Sequence, residues 1–233
     1  VGHRGAPAEA PANTLRSYRR AAELGCHLVE VDIHETTDGH LILSHDAVIQ
    51  GPQGPVRIAE STAATVRALD VGGEPPPLLV EALDILRGHT GILIDLKGVG
   101  FERRLVRTLH QHHMARTIIC GSNLDSLLEV RAADPTIGLS WTLDPRQPMR
   151  SAIDVPDAPT PWVTAHHQKL FPESIDAFHE RGVRVLAWTV DSPDRVATLL
   201  AWGVDGITSN DPAMVRTVSR DSGLRQRPRG EAE

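Results

Sequence analysis

His27-Leu28-Val29-Glu30-Val31-Asp32-Ile33-His34, residues 27–34, carries two carboxylates and a histidine at each end on a pattern that is otherwise that of a buried strand. Successive side chains of a strand alternate between faces. Val29, Val31 and Ile33 therefore share one face, and Glu30, Asp32 and His34 share the other. Asp38-Gly39 follows, a tight-turn dipeptide, and then the apolar run 40–45. A run reached so soon must double back antiparallel, because a parallel crossover needs about a dozen residues or more.

Outward from this pair, strand-like runs occur at 1–4, 91–97, 117–121, 136–141, 162–166, 183–190 and 204–208, with amphipathic helical stretches between them. Helix signals are explicit in several places. Ser192-Pro193 supplies an N-cap and a first-turn proline before Val196, Leu199 and Leu200, and Gly203 ends that helix. Pro172 with Ile175 and Phe178, and Asp211-Pro212 with Met214, Val215 and Val218, repeat the pattern. Strands alternating with helices predict a parallel α/β sheet. With 40–45 set aside as a hairpin arm, eight strands remain, the number that closes a TIM-type (β/α)8 barrel. Residues 1–218 are expected to form this single domain. A short insertion after the second barrel strand, 46–77, is rich in Gly and Pro around a helical piece near 60–69, and is expected to lie over the barrel mouth. Residues 219–233, with four arginines and little apolar content, are expected to be a disordered tail.

The composition narrows the function. The chain has 233 residues, a formal net charge of -6 and 40% hydrophobic residues, which fits a globular domain and gives no nucleic-acid footprint. No apolar run approaches the ~20 residues of a membrane span. Cys26 and Cys120 read as buried apolar residues rather than a disulfide, which favours a cytoplasmic setting. The chain opens inside a strand, so secretion is not decided by the missing leader.

Strand 91–97 repeats the oddity of 27–34, with Asp95 and Lys97 on one face and Ile92, Ile94 and Leu96 on the other. Carboxylates inside a barrel are costly unless something positive neutralises them. Glu30, Asp32 and Asp95 are thus candidate ligands of a hard divalent cation, Mg²⁺ or Ca²⁺, rather than zinc. The competing reading is a structural ion-pair network around Lys97. His3-Arg4-Gly5 ends the first strand and His45-Asp46 ends the hairpin arm at the same rim. Two histidines suit general acid–base work at neutral pH, and Arg4 suits phosphate oxygens. Trp188 and His166, at strand ends, are candidate pocket residues. Packing of the barrel top competes for Trp188, and a surface pair with His167 for His166.

These residues resemble a known family. His3-Arg4-Gly5, Pro11-Ala12-Asn13-Thr14-Leu15, Glu30-Val31-Asp32, Thr37-Asp38-Gly39 and His45-Asp46 are similar to the N-terminal signature of glycerophosphodiester phosphodiesterases. Asp95-Leu96-Lys97, Ala187-Trp188-Thr189-Val190 and Gly203-Val204-Asp205-Gly206-Ile207-Thr208 with Asp211-Pro212 resemble its later blocks, in order along the chain. The resemblance implies a hydrolase that cleaves a small-molecule glycerophosphodiester to glycerol phosphate and an alcohol, through a cyclic phosphate. It implies His3 and His45 as the acid–base pair, Glu30, Asp32 and Asp95 as metal ligands, and Arg4 and Lys97 as phosphate-binding residues. The chain departs from the family pattern in three places. Ala12 replaces a Glu, leaving Asn13 expected to cap the helix; Asp95 replaces a Glu; and an Arg-Thr-Thr run after His45-Asp46 is absent. Asp95 also resembles sphingomyelinase D-type enzymes, so a lysophospholipid or sphingomyelin phosphodiesterase releasing a cyclic phosphate is the alternative. A catalytically silent phosphate-binding barrel is the second. The sequence leaves the alcohol, the choice of metal and the oligomeric state open.

Overall fold

The computed structural model describes residues 1–222 except 115, 148, 150, 152, 153 and 155. Strand β1 (Leu28–Glu35) is the hub. Val29, Val31 and Ile33 are fully buried, each contributing about 1.5–3 kcal/mol of apolar burial. One edge of β1 pairs in parallel with β5 (Gly91–Leu96), and the other holds the short antiparallel strand β2 (Leu41–Leu43) through Ile33↔Leu43 and Glu35↔Leu41. The turn between β1 and β2 places Gly39 at φ 78° and closes with Thr36 N–H donating to His40 O, as Asp38-Gly39 predicts.

From β5 the parallel sheet continues through β6 (Thr117–Gly121), β7 (Gly138–Thr142), β8 (Trp162–His166), β9 (Arg184–Trp188) and β10 (Gly206–Ile207). The ring closes at Gly2, which bridges Val29 on one side and Ser209 on the other, both in parallel. Gly2 N–H donates to Leu28 O at 3.0 Å, Glu30 N–H to Gly2 O at 2.8 Å, and His3 N–H to Ser209 O at 2.9 Å. A Cβ at position 2 would run into the Gly5 carbonyl oxygen and press on Ala21 Cβ at 3.1 Å, so only glycine lets this closing segment lie flat. The barrel expected from eight runs is therefore present, with the first and last strands shorter than the apolar runs suggest.

Helices α1 (Leu15–Glu23), α3 (Leu79–Leu86), α4 (Glu102–Gln111), α5 (Leu124–Ala133), α6 (Pro172–Glu180), α7 (Pro193–Ala201) and α8 (Pro212–Asp221) connect the strands. Ser192 and Asp211 cap α7 and α8 as their sequences indicate. The short helical piece expected near 60–69 is present as α2 (Ala63–Arg67), preceded by a 3₁₀ turn (Ile58–Glu60). Three expectations need correction. The cap of α1 is Thr14, whose side chain accepts from Ser17 N–H, and Asn13 turns inward instead. The connection from β7 to β8 holds no α-helix among the described residues, in keeping with its prolines at 145, 148, 156, 159 and 161. Finally, α8 runs to Asp221, three residues past the expected domain end at 218, while 223–233 lie outside the described residues.

The 46–77 segment forms a hairpin of β3 (Val48–Gly51) and β4 (Gly54–Arg57), the 3₁₀ turn and α2. Ile58 and Val66 pack there on Ile42 of β2 as a small satellite core. Among the described residues no helix is long and apolar enough to cross a membrane.

Candidate active site

Parallel register sets the site. Asp32 on β1 lies opposite Asp95 on β5, and Asp95 lies opposite Cys120 on β6. Glu30 and Asp32, two apart on β1, face the same way. Carboxylate oxygens of Glu30, Asp32 and Asp95 all lie within 4.8 Å of one another. Lys97 reaches over them, with Nζ 2.5 Å from Asp95 Oδ2 and 3.0 Å from Asp32 Oδ1. Arg4 Nε lies 3.2 Å from Asp32 Oδ2. Three formal negative charges thus face two positive ones.

Burial pushes the Glu30 carboxyl well above its ordinary range, and the charges of Asp32 and Asp95 push it further. Burial works on Asp32 in the same direction, but Lys97, Arg4 and the Asn13 amide outweigh it and hold Asp32 below the usual value. Asp95 is raised by burial, with Lys97 only partly offsetting it. Burial opposes the charge on Lys97, yet Asp95 and Asp32 prevail and raise it. The donor set fits a hard divalent cation: it is all oxygen, it is compact, and it contains one carboxyl, Glu30, whose charge lacks a full counterpart.

The loop from His3 to Asn13 is held to this cluster by hydrogen bonds and charge, which also keep two of its residues in a strained backbone conformation. Arg4 and Asn13 sit at φ 53° and 56°, in the left-handed region that non-glycine residues rarely enter. Arg4 N–H donates to Glu30 Oε2 at 2.8 Å, and Asn13 Nδ2 donates to Asp32 Oδ2 at 3.1 Å. Tyr18 Oη–H donates to Asn13 Oδ1 at 2.9 Å, and Ser17 Oγ accepts from Ala6 N–H while donating to Arg4 O. Helix α1 is therefore the platform on which the His3-Arg4-Gly5 turn rests.

The two histidines are held differently. His3 Nδ1 lies 2.8 Å from Asn210 Oδ1. Asn210 Nδ2 donates to Asp191 Oδ2, which orients the amide so that its oxygen must accept from His3 Nδ1–H. The Nε2 atom is left with its lone pair. Burial lowers the pKa of His3 despite the Asn210 bond, so the ring favours its neutral form. His45 Nδ1 lies 2.8 Å from Asp46 Oδ1, and the His45 carbonyl lies 3.4 Å from His34 Nε2.

His3, Arg4, Glu30, Asp32, His45, Asp95, Lys97 and Trp188 all line one cleft at the C-terminal ends of the barrel strands. His166 does not line it. Its ring stacks on His167 and meets the edge of Trp188, with centroids 5.4 Å apart, and it faces a small adjoining cavity with Lys169. The far wall of the cleft is the segment Trp141–Gln147, where Asp144 holds the exposed Arg146 guanidinium. No residue of the 46–77 segment is among those lining the cleft.

The chain matches the glycerophosphoryl diester phosphodiesterase family over residues 3–214. It belongs to that family. A glycerophosphodiester phosphodiesterase of Caldanaerobacter subterraneus subsp. tengcongensis is 28% identical over 242 residues, covering 96% of this chain and 98% of the relative. One from Bacillus subtilis is 27% identical, covering 94% and 86%. Among solved structures, a family protein from Silicibacter pomeroyi superposes with a TM-score of 0.86 at 25% identity, covering 96% and 93%. A phosphodiesterase from Oleispira antarctica, solved with its product sn-glycerol-3-phosphate, gives 0.83 at 24% identity, covering 94% and 95%. The (β/α)8 barrel is common to them.

Several members of this site carry no sequence signal of their own. Asn210 and Asp191 read as loop residues and Thr142 as a strand end, while Asn13, inside a block that resembles the family's, reads as a cap. The left-handed φ of Asn13 and the 207-residue separation of His3 from Asn210 are visible only in the folded chain.

Proposed function

We propose that this protein hydrolyses glycerophosphodiesters to glycerol phosphate and an alcohol, with His3 as general base and His45 as general acid. The observation that carries the reading is the Asp191–Asn210–His3 relay. It leaves an unprotonated Nε2 in the same cleft as two cations and a three-carboxylate cluster. His3 Nε2 takes the proton of the glycerol hydroxyl next to the phosphate, and that oxygen attacks phosphorus. The bond to the leaving alcohol breaks, and His45 delivers a proton to the departing oxygen. In the second half the roles reverse, with water opening the cyclic phosphate. Asp46 pairs with the ring of His45 when it is charged. Arg4 and Lys97 offset the charge that builds on the phosphoryl oxygens.

Glu30, Asp32 and Asp95 would hold a divalent cation, Mg²⁺ or Ca²⁺. Bound there, it supplies Lewis-acid polarisation of a phosphoryl oxygen. The test is a panel of glycerophosphodiesters incubated with Mg²⁺, Ca²⁺ or chelator, with products followed by ³¹P NMR. Release of glycerol phosphate only with a cation supports the reading. Full activity after exhaustive EDTA treatment removes the metal from it, and a cyclic phosphate as the final product replaces hydrolysis with transfer.

A further inference from the structure

Helix α1 turns two neighbouring polar side chains into the interior, Ser17 and Tyr18, and both are fully buried. Ser17 is accounted for by the Ala6 N–H and Arg4 O that it bonds. Tyr18 reaches the carboxylate cluster only through another residue. Its hydroxyl donates to Asn13 Oδ1 at 2.9 Å, and Asn13 Nδ2 donates to Asp32 Oδ2 at 3.1 Å. Burial, and after it the charges of Glu30 and Asp32, push the phenol well above its ordinary range, so Oη keeps its proton to donate.

The two ends of a side-chain amide are alike in shape and opposite in hydrogen bonding. A half-turn of the Asn13 amide would set Oδ1 against the Asp32 carboxylate, acceptor facing acceptor. The phenol opposes that turn, because its proton would then face the amide's own N–H groups. Asn13 is 6% exposed, and its backbone N–H donates to Arg4 O at 3.1 Å, so main chain and side chain are both held. Asp32 is also paired with Arg4 Nε at 3.2 Å through Oδ2 and with Lys97 Nζ at 3.0 Å through Oδ1. Those two partners carry positive charge, which competes with a bound cation. The Asn13 amide orients the carboxylate without cancelling its charge.

We propose that Tyr18 is a positioning residue for the cation site: its hydroxyl holds the Asn13 amide in the orientation that donates to Asp32, and so sets that carboxylate for the metal. The proposal rests on the reading of Glu30, Asp32 and Asp95 as cation ligands. The competing role is packing, since Tyr18 belongs to the same core cluster as Val29 and Val31, where a phenylalanine would serve as well.

Calorimetric titration of EDTA-treated protein with Mg²⁺ and Ca²⁺, with melting curves in EDTA alongside, separates the two roles. Tyr18→Phe keeps the ring and loses only the hydroxyl. It should weaken cation affinity by about tenfold, the usual order for a partner that orients a ligand. Asn13→Gly removes the amide while tolerating the left-handed backbone, and should weaken affinity at least as much. Adding Tyr18→Phe to Asn13→Gly should then change affinity by less than about twofold, because the hydroxyl has no amide left to orient. Phe178→Leu, in the other large core cluster, should lower the melting temperature and leave affinity as it is. Parent-like affinity in Tyr18→Phe, the same loss from Tyr18→Phe with and without the amide, or a matching loss in Phe178→Leu would each overturn the proposal and leave Tyr18 a packing residue. If the parent protein binds neither cation, the metal reading falls and the proposal falls with it.

Discussion

Asp95 is where this chain departs from the common family residue, and its geometry makes the departure testable. Its carboxylate is 2.5 Å from Lys97 Nζ, while Lys97 keeps a second partner in Asp32. Asp95→Asn should therefore cost the metal-free protein little stability but weaken cation affinity by about tenfold or more, since one anionic ligand is lost. Asp95→Glu should be milder, with the packed interior resisting the extra methylene. Calorimetric titration with Ca²⁺ and Mg²⁺, paired with melting curves in EDTA, reads both quantities. A lowered melting temperature with unchanged affinity would make Asp95 a structural partner of Lys97 only. His3 offers a second check. His3→Ala should lower turnover by about 10²–10⁴ with the fold intact. Burial depresses its pKa in the folded protein, so the neutral base persists below the ordinary value of 6.5. The acid limb of kcat/KM against pH should thus lie below 6.5. Its stability contribution has the matching sign, complete above 6.5 and falling as pH drops toward the folded value, because the unfolded chain takes up the proton first.

Among the elements, the segment at Gly2 is the most exposed to disruption. It has no ladder of its own and closes the ring through single bridges to Val29 and Ser209. Gly2→Ala should cost about 1–3 kcal/mol by overpacking against the Gly5 carbonyl, a drop of several degrees in melting temperature. It should also lower activity beyond what the lost stability explains, because His3 and Arg4 follow directly. How much of this was legible depended on range. The alternation of 27–34, the Asp38-Gly39 turn and the Ser192 and Asp211 caps are local, and each appears in the fold where its residues place it. The strand pair carrying Asp32 and Asp95 was legible because both strands break the apolar rule in the same way. The β7–β8 connection was misjudged, since the helical rhythm outweighed five prolines. Asn13 was misjudged because an Asn before a helix ordinarily caps it, and Tyr18 with Asp32 redirects it here. The Asn210 amide had no signal, because its role comes from a partner about two hundred residues away.

Across the whole molecule, the carboxylate cluster ties ligand binding to stability. A cation that binds only the folded chain stabilises it by about 2.7 kcal/mol at a hundred times its Kd. For a domain of this size that is roughly 5–10 °C in melting temperature. Adding Ca²⁺ or Mg²⁺ to EDTA-treated protein should raise the melting point by this order, and Asp95→Asn should largely abolish the rise. The absence of any shift in the parent protein, at cation levels that saturate activity, would place the metal elsewhere. The closure at Gly2 also bears on how the protein reaches its active form. His3 acquires its orienting amide only when residues separated by 207 positions meet. Contacts of such span are the slowest to form, because the intervening chain must first give up its freedom. During refolding from denaturant, far-UV circular dichroism should recover well before hydrolysis does. Turnover then becomes a clock for the last event of folding, the moment at which the barrel ceases to be a curled open sheet.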